Sequence, residues 1–330
     1  MSTILIDSEE GVRHLIEEIE SSSLQPPFLF MDLEGIYLGR LGSIAILQLL
    51  VPPNPIVRLL DVHVLQKSAF ETKSSTGTTF KDILESDRYP KAFFDLRNDS
   101  DALYSHFGIR LQTVIDIQLL EFGTRMVPGR VLKSLAKSIE EDSGINYYEV
   151  KEWQAGKEAG YMLFDPLKGG SYDVFNHRPL DEAIVDYCTR DVVLLPALLQ
   201  AYARRLRGWD NLAINLQLEA EKRVSLSQSA TYNGKGQHMA QGPKGIQSGL
   251  ASLVIRNDSF VDFEFVRYCS SNGSRLTFPM SLVLSPDLPQ YCIMKTETPE
   301  EMVGTSTPTS NCLPAASTES VLEIVVALEV

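Results

Sequence analysis

Apolar residues in this chain come in short bursts. Residues 28–33, FLFMDL, form a compact run behind Gln25-Pro26-Pro27, long enough for a buried strand and too short for a buried helix. Comparable runs follow at residues 43–51, 57–62, 91–94 and 113–115, divided by Pro and Gly, with helical stretches alternating between the later ones. That order predicts a meander of strands and then crossover units, an α/β sheet. Further on the period lengthens. Ile184, Val185, Val192, Val193, Leu195 and Leu198 recur at helical spacing toward Leu206, and Gly208 stops the run. Pro179 is expected in the first turn of this helix, where Asp181 and Glu182 complement its dipole. Pro196 lies inside the run and predicts a kink, because it lacks an amide and its ring crowds the preceding turn. A shorter helix is expected over residues 99–108, closed by Gly108.

Acidic residues stand at the ends of these elements. Side chains two apart on a strand share a face, so Asp32 and Glu34 project together from the end of the first run, beside Gly35. They follow Phe30 and Met31, interior residue types, at the mouth of a core, where a carboxylate needs a cation or hydrogen bonds. Tyr187 and Asp191 are four apart on one helix and face the same way. Asp95, Asp99 and Asp101 fall near one strand-to-helix turn; Asp99 is placed in the set by register. Each piece alone has a plain explanation. Paired acids at a strand edge are ordinarily solvated, a helical tyrosine is ordinarily half-buried core, and an aspartate at a helix start is ordinarily a cap. With 43 Asp and Glu among 330 residues, chance supplies such pairs several times over, and only their order along the chain discriminates. Together, carboxylates on separate elements suit hard divalent cations and phosphate-ester chemistry.

The order resembles that of the DEDD 3′-5′ exonucleases of ribonuclease D type, in particular the eukaryotic exonuclease 3′-5′ domain-containing proteins, over roughly residues 3–220. The first motif is similar to Asp32, Glu34, Gly42 and Gln48; the second to Asp99, Gly108, Asp116 and Gln118; the third to Phe175, Arg178, Pro179, Leu180, Tyr187 and Asp191. Two positions depart from it: Phe94-Asp95 stands where many relatives have a polar residue, often His, and Phe175 where Trp is more usual. The resemblance implies a ribonuclease-H-like α/β fold, a mixed five-stranded sheet flanked by helices. It also implies an enzyme, a metal-dependent 3′-5′ exonuclease releasing nucleotides from a free 3′ end of single-stranded RNA or DNA by two-metal-ion phosphodiester hydrolysis. By that analogy two Mg2+ or Mn2+ ions are bridged by Asp32, Glu34 and Asp191 complete one, Asp99 holds the other, and Tyr187 orients the attacking water. An ordinary phenol is a poor base, so acidification of the water by the ions carries most of the activation. The alternative is an RNA-binding adaptor with this fold and weak or no catalysis; a third reading makes the acids incidental to a structural protein.

Composition bounds the rest. A formal charge of -13 argues against a broad basic groove, since phosphate attraction supplies most non-specific affinity; contact must be local, with Arg125, Arg130, Lys133, Arg190 and the Arg204, Arg205, Arg207 cluster as candidates, although arginines gather at helix ends for dipole reasons alone. The four cysteines show no C-x-x-C pair and the five histidines no ligand spacing; His177, near the third motif, reads as a loop residue. No basic-then-apolar leader opens the sequence and no apolar run reaches membrane length, so no membrane partner is expected and an intracellular place, cytoplasm or nucleus, is. Residues 140–176, rich in Gly and aromatics, read as an insertion: a long loop pinned by its aromatics, or a flap on which Tyr147, Tyr148, Trp153 and Tyr161 stack bases. An exonuclease domain is expected over residues 1–232. Residues 233–330 read as a Gly-rich linker and a weakly ordered tail with two strand-like stretches and a Ser/Thr/Pro tract.

Overall fold

The computed structural model describes residues 2–24 and 27–246, and beyond them only the backbone pairing of Tyr268–Cys269 with Arg275–Leu276. Most of the two strand-like stretches expected in the tail, and its Ser/Thr/Pro tract, lie outside the described residues.

The first element, β1 (Thr3–Ile6), is absent from the hydrophobic pattern because only Ile6 is buried; what recruits it is parallel pairing with a later strand, Thr3 opposite Val57 through Ile6 opposite Leu60. Helix α1 (Glu9–Glu20) is capped by Ser8 and buries Val12, Leu15, Ile16 and Ile19, a stripe at helical spacing. Strands β2 (Leu29–Glu34), β3 (Ile46–Leu50) and β4 (Val57–Asp61) make the antiparallel meander. Three short segments, α2 (Val62–Leu65), α3 (Ser68–Glu71) and α4 (Phe80–Glu85), lead to β5 (Lys91–Phe93). Helix α5 (Arg97–Phe107), ended by Gly108 in the left-handed region at φ 64°, crosses to β6 (Val114–Asp116). Strands β5 and β6 extend β2 in parallel, giving a six-stranded sheet in the order β1-β4-β3-β2-β5-β6, one strand more than the five expected.

The rest of the domain is helical: α6 (Ile117–Thr124), α7 (Leu135–Asp142), α8 (Tyr147–Phe164), α9 (Glu182–Val193), α10 (Leu195–Arg205) and α11 (Asp210–Ser227). Two of these correct the sequence reading. The middle of the expected loop at residues 140–176 is the 18-residue helix α8, started by a reciprocal cap between Asn146 and Glu149. The single kinked helix is two helices. Pro196 sits in the first turn of α10, where its missing amide costs nothing, and Leu194 is the break. Pro179 lies ahead of α9, which begins after Asp181, whose side chain accepts from the Ala183 amide.

Alternation along β2 decides what faces what. Leu29, Met31 and Leu33 enter one core with α1, α5 and α11; Phe30 enters the other with Ile46, Leu59 and Ala92 beneath α9 and α10. Burying each such side chain is worth about 1.5–3 kcal/mol, so the register of β2 is fixed, and with it the direction of Asp32 and Glu34, which share the Phe30 face. Residues after α11 fold back. Tyr232 donates to Asn98, Arg97 donates to the Met239 carbonyl, and the Gly242 amide to Arg130, so the expected linker is bonded to the domain up to Gly242. Among the described residues no helix is long and apolar enough to cross a membrane.

Candidate active site

A tight loop ends β2. A β-carbon on Gly35 would lie 2.1 Å from the Ser43 carbonyl oxygen, and one on Gly42 would lie 2.0 Å from that of Ile36; only glycine permits so close an approach. The loop turns away and leaves the end of β2 facing α9.

Tyr187 and Asp191 stand one turn apart on that helix. Asp32, Glu34 and Asp191 each present an oxygen within 4.8 Å of the others. Asp32 and Glu34 are half-buried, and Asp191 is buried. Asp99 lies outside this trio, buried in the first turn of α5, near enough for its charge to act on Asp32 and Glu34. The two neighbouring aspartates are committed elsewhere. Asp95 is paired with Arg97 at 2.5 Å, and Asp101 accepts from Arg40 at 2.8 Å. Asp99 Oδ1 and Asp191 Oδ2 are buried without a hydrogen-bond partner. Gln48, opposite Asp32 on β3, has an unpartnered amide as well.

The electrostatics follow from this crowding. Desolvation, then the charges of Asp191, Asp99 and Glu34, holds the Asp32 carboxyl well above the usual carboxylate range. Desolvation and Asp191 push Glu34 up to about 8, against Lys157. Asp99 is pushed up to about 8 by desolvation, against the main-chain amide of Leu33. Asp191 is raised by desolvation and pulled back by Lys157. The Tyr187 phenol is raised far above its ordinary value by burial and by Glu34, and its hydroxyl is hydrogen-bonded to Glu34; it stays protonated. Crowded, under-partnered carboxylate oxygens are the environment a hard divalent cation relieves, so the donor set fits such ions.

One feature of the site was invisible in the sequence reading. Lys157, from α8, forms an ion pair with Asp191 Oδ1, and its Nζ lies 3.0 Å from the centroid of the Tyr187 ring. Two glycines make this possible: a β-carbon on Gly160 would sit 2.5 Å from Tyr187 Cβ, and one on Gly156 would sit 2.0 Å from Arg190 Nε. Those glycines suggested a loop, whereas the Asn146-x-x-Glu149 cap signature was the available sign of a helix. Trp153 is buried and donates to the Arg190 carbonyl at 3.0 Å, which removes it from any stacking flap; Tyr147 and Tyr148 remain exposed. Phe164, at the end of α8, packs edge-on against Tyr187 at 5.0 Å and also touches Phe175 at 5.2 Å. Arg178 is spent on Asp61 and on the carbonyls of Phe175 and His177. Of the nominated cations, Arg125 and Lys133 pair with Glu121, Arg190 with Asp186 and Arg205 with Asp142, leaving Arg130, Arg204 and Arg207 at the surface.

The mixed sheet with helices on both faces is a ribonuclease-H-like exonuclease fold, and comparison with known proteins agrees. The ribonuclease D of Trypanosoma brucei in complex with GMP aligns at TM-score 0.54 and 18% identity, over 72% of this chain and 69% of that one. The same enzyme with RNA U12 aligns at TM-score 0.54 and 18% identity, over 73% and 77%. Escherichia coli RNase D, an exoribonuclease involved in structured RNA processing, aligns at TM-score 0.50 and 18% identity, over 70% of this chain and 52% of that one. No curated protein gives a significant match. The model of the 3′-5′ exonuclease family matches residues 4–207. The chain belongs to that family.

Proposed function

We propose that the protein is an enzyme, a metal-dependent 3′-5′ exonuclease that releases nucleotides from the 3′ end of single-stranded RNA or DNA by two-metal-ion hydrolysis. The observation that carries this reading is the meeting of Asp32, Glu34 and Asp191 within 4.8 Å, with partnerless oxygens on Asp191 and Asp99 beside them. In this reading Asp32, Glu34 and Asp191 would hold one ion, and Asp32 and Asp99 the other. Bound Mg2+ or Mn2+ supplies positive charge against the attacking and leaving oxygens of the phosphodiester. Tyr187, protonated and tied to Glu34, orients the attacking water and does not remove its proton. Phe164, edge-on against Tyr187 and backed by Phe175, keeps the phenol in place. The relation in fold to a ribonuclease D seen with RNA U12 supports RNA as the first substrate to test, and action in the cytoplasm or nucleus suits such a substrate. Residues 1–232 form the exonuclease domain in this account and residues 233–330 an extension.

The test uses RNA and DNA oligonucleotides with free or phosphate-blocked 3′ ends. Shortening of the free ends should require Mg2+ or Mn2+ and vanish in Asp32→Asn. Full activity in that variant, or no shortening with either ion, would overturn the proposal. A binding-only adaptor is favoured by one observation, the Lys157 ammonium lodged against Asp191. Unchanged RNA affinity without turnover in either metal would establish that second reading.

A further inference from the structure

We propose that Lys157 is a substrate-contacting residue whose ammonium binds a non-bridging oxygen of the scissile phosphate. The inference rests on the nuclease reading above and deepens it.

Three observations carry it. The first is position: Lys157 lines a cleft of about 920 Å³ together with Tyr187, Asp191, Tyr161, Lys151 and Gln154. Its side chain is 16% exposed, so the ammonium borders both the acids and the space a substrate would enter. The second is the local architecture. Gly156 and Gly160 flank Lys157, and neither tolerates a β-carbon against α9. A helix-interior glycine costs about 1 kcal/mol relative to alanine, and this pair sets Lys157 directly over Tyr187 and Asp191. The third is charge. Asp32, Glu34, Asp99 and Asp191 ionised carry four negative charges, which two divalent ions cancel. A phosphodiester then brings one uncompensated negative charge into a desolvated site, a costly arrangement. Lys157 neutralises it. With Asp191 serving as a metal ligand, the ammonium would exchange that partner for the phosphate. No proton or bond changes hands; the lysine donates a hydrogen bond and a charge.

The experiment is calorimetric binding of a nucleoside 5′-monophosphate and of the corresponding nucleoside, in Mg2+, to wild type, Lys157→Met, Lys157→Gln and Lys157→Arg. A charge-assisted hydrogen bond predicts that the Met and Gln variants bind the monophosphate about tenfold or more weakly, with nucleoside affinity unchanged and Arg largely restoring the phosphate. Mg2+ alone should bind the Met variant at least as tightly as wild type, since a competitor for Asp191 is gone. Monophosphate affinity equal to wild type in a folded Met or Gln variant overturns the inference and leaves the nuclease reading intact. If Met does not fold, the Gln-to-Arg difference decides. Wild type that binds neither Mg2+ nor the monophosphate overturns the nuclease reading, and this inference falls with it.

Discussion

Glu34 and Asp99, both pushed up to about 8, make the metal-free fold sensitive to pH in an unusual direction. A carboxyl with a raised folded pKa keeps its proton in the native state after the unfolded chain has released it. The native state then binds more protons, and stability falls as pH rises from the ordinary carboxylate range toward about 8. Lys91, buried and pushed down to about 7, acts in the opposite sense but only above that value. Thermal melting in a chelator should therefore show the midpoint dropping between about pH 5 and about pH 7. Mg2+ should raise the midpoint, and by more at the upper end, because the ion competes with protons for the same oxygens. A metal-free midpoint that climbs across this window would contradict the assignment. Asp32 gives a companion prediction. Replacing it by Asn removes a carboxyl that the metal-free native state must hold protonated among acidic neighbours, so metal-free Asp32→Asn should melt above wild type, by an amount corresponding to about 1 kcal/mol or more, while losing activity. A lower melting point in chelator would show that the charge is compensated in the native protein.

Helix α8 holds the site together as much as the strands do. Alanine ordinarily strengthens a helix over glycine by about 1 kcal/mol. At Gly160 the added β-carbon would overlap Tyr187, so Gly160→Ala should destabilise by about 1–3 kcal/mol and displace Tyr187, lowering kcat. Chemical denaturation and single-turnover rates check both effects; a stabilised, fully active variant would mean that α8 can move off α9 without consequence. The connection before α9 has its own lock. Arg178 pairs with the fully buried Asp61, and Arg178→Met would strand that carboxylate at a cost of about 3–5 kcal/mol, measurable as a lowered urea midpoint. These elements also show how far sequence reaches. Strands β2 to β6 were legible because each buries a short run of apolar residues, and the acids at their ends could be placed by strand and helix periods. Strand β1 was not legible, because pairing with β4 holds it and one residue is buried. Helix α8 was not legible because Gly156 and Gly160 serve tertiary approach to α9 and read locally as loop. Lys157 was lost with it. The pairing of Asp95 with Arg97 and of Asp101 with Arg40 was likewise beyond the sequence, since it depends on how α5 packs in the fold.

The chain as a body carries a formal charge of -13, and several of the candidate phosphate-binding cations are already paired with acids: Arg125 and Lys133 with Glu121, and Arg190 with Asp186. Long-range attraction for a polyanion is therefore weak, and recognition should be confined to the few phosphates at the cleft. A binder touching six to ten phosphates loses roughly 10³–10⁵ in affinity between 50 and 200 mM salt. Single-stranded RNA binding here, followed by fluorescence anisotropy with the Asp32→Asn variant in Mg2+, should show a much shallower salt dependence, equivalent to about one to three phosphates. A steep slope would point to a basic surface outside the described residues. At this level the proposal rests on Asp32, Glu34, Asp99 and Asp191 binding divalent ions together. Calorimetric titration of Mn2+ at about pH 7, in buffers of different ionisation enthalpy, tests it most directly. The account predicts two ions bound per chain with net proton release, because raised carboxyls must give up protons to become ligands, and loss of most of that binding in Asp32→Asn and Asp191→Asn. Ion binding in those variants indistinguishable from wild type, or no binding and no proton release in wild type, would contradict it.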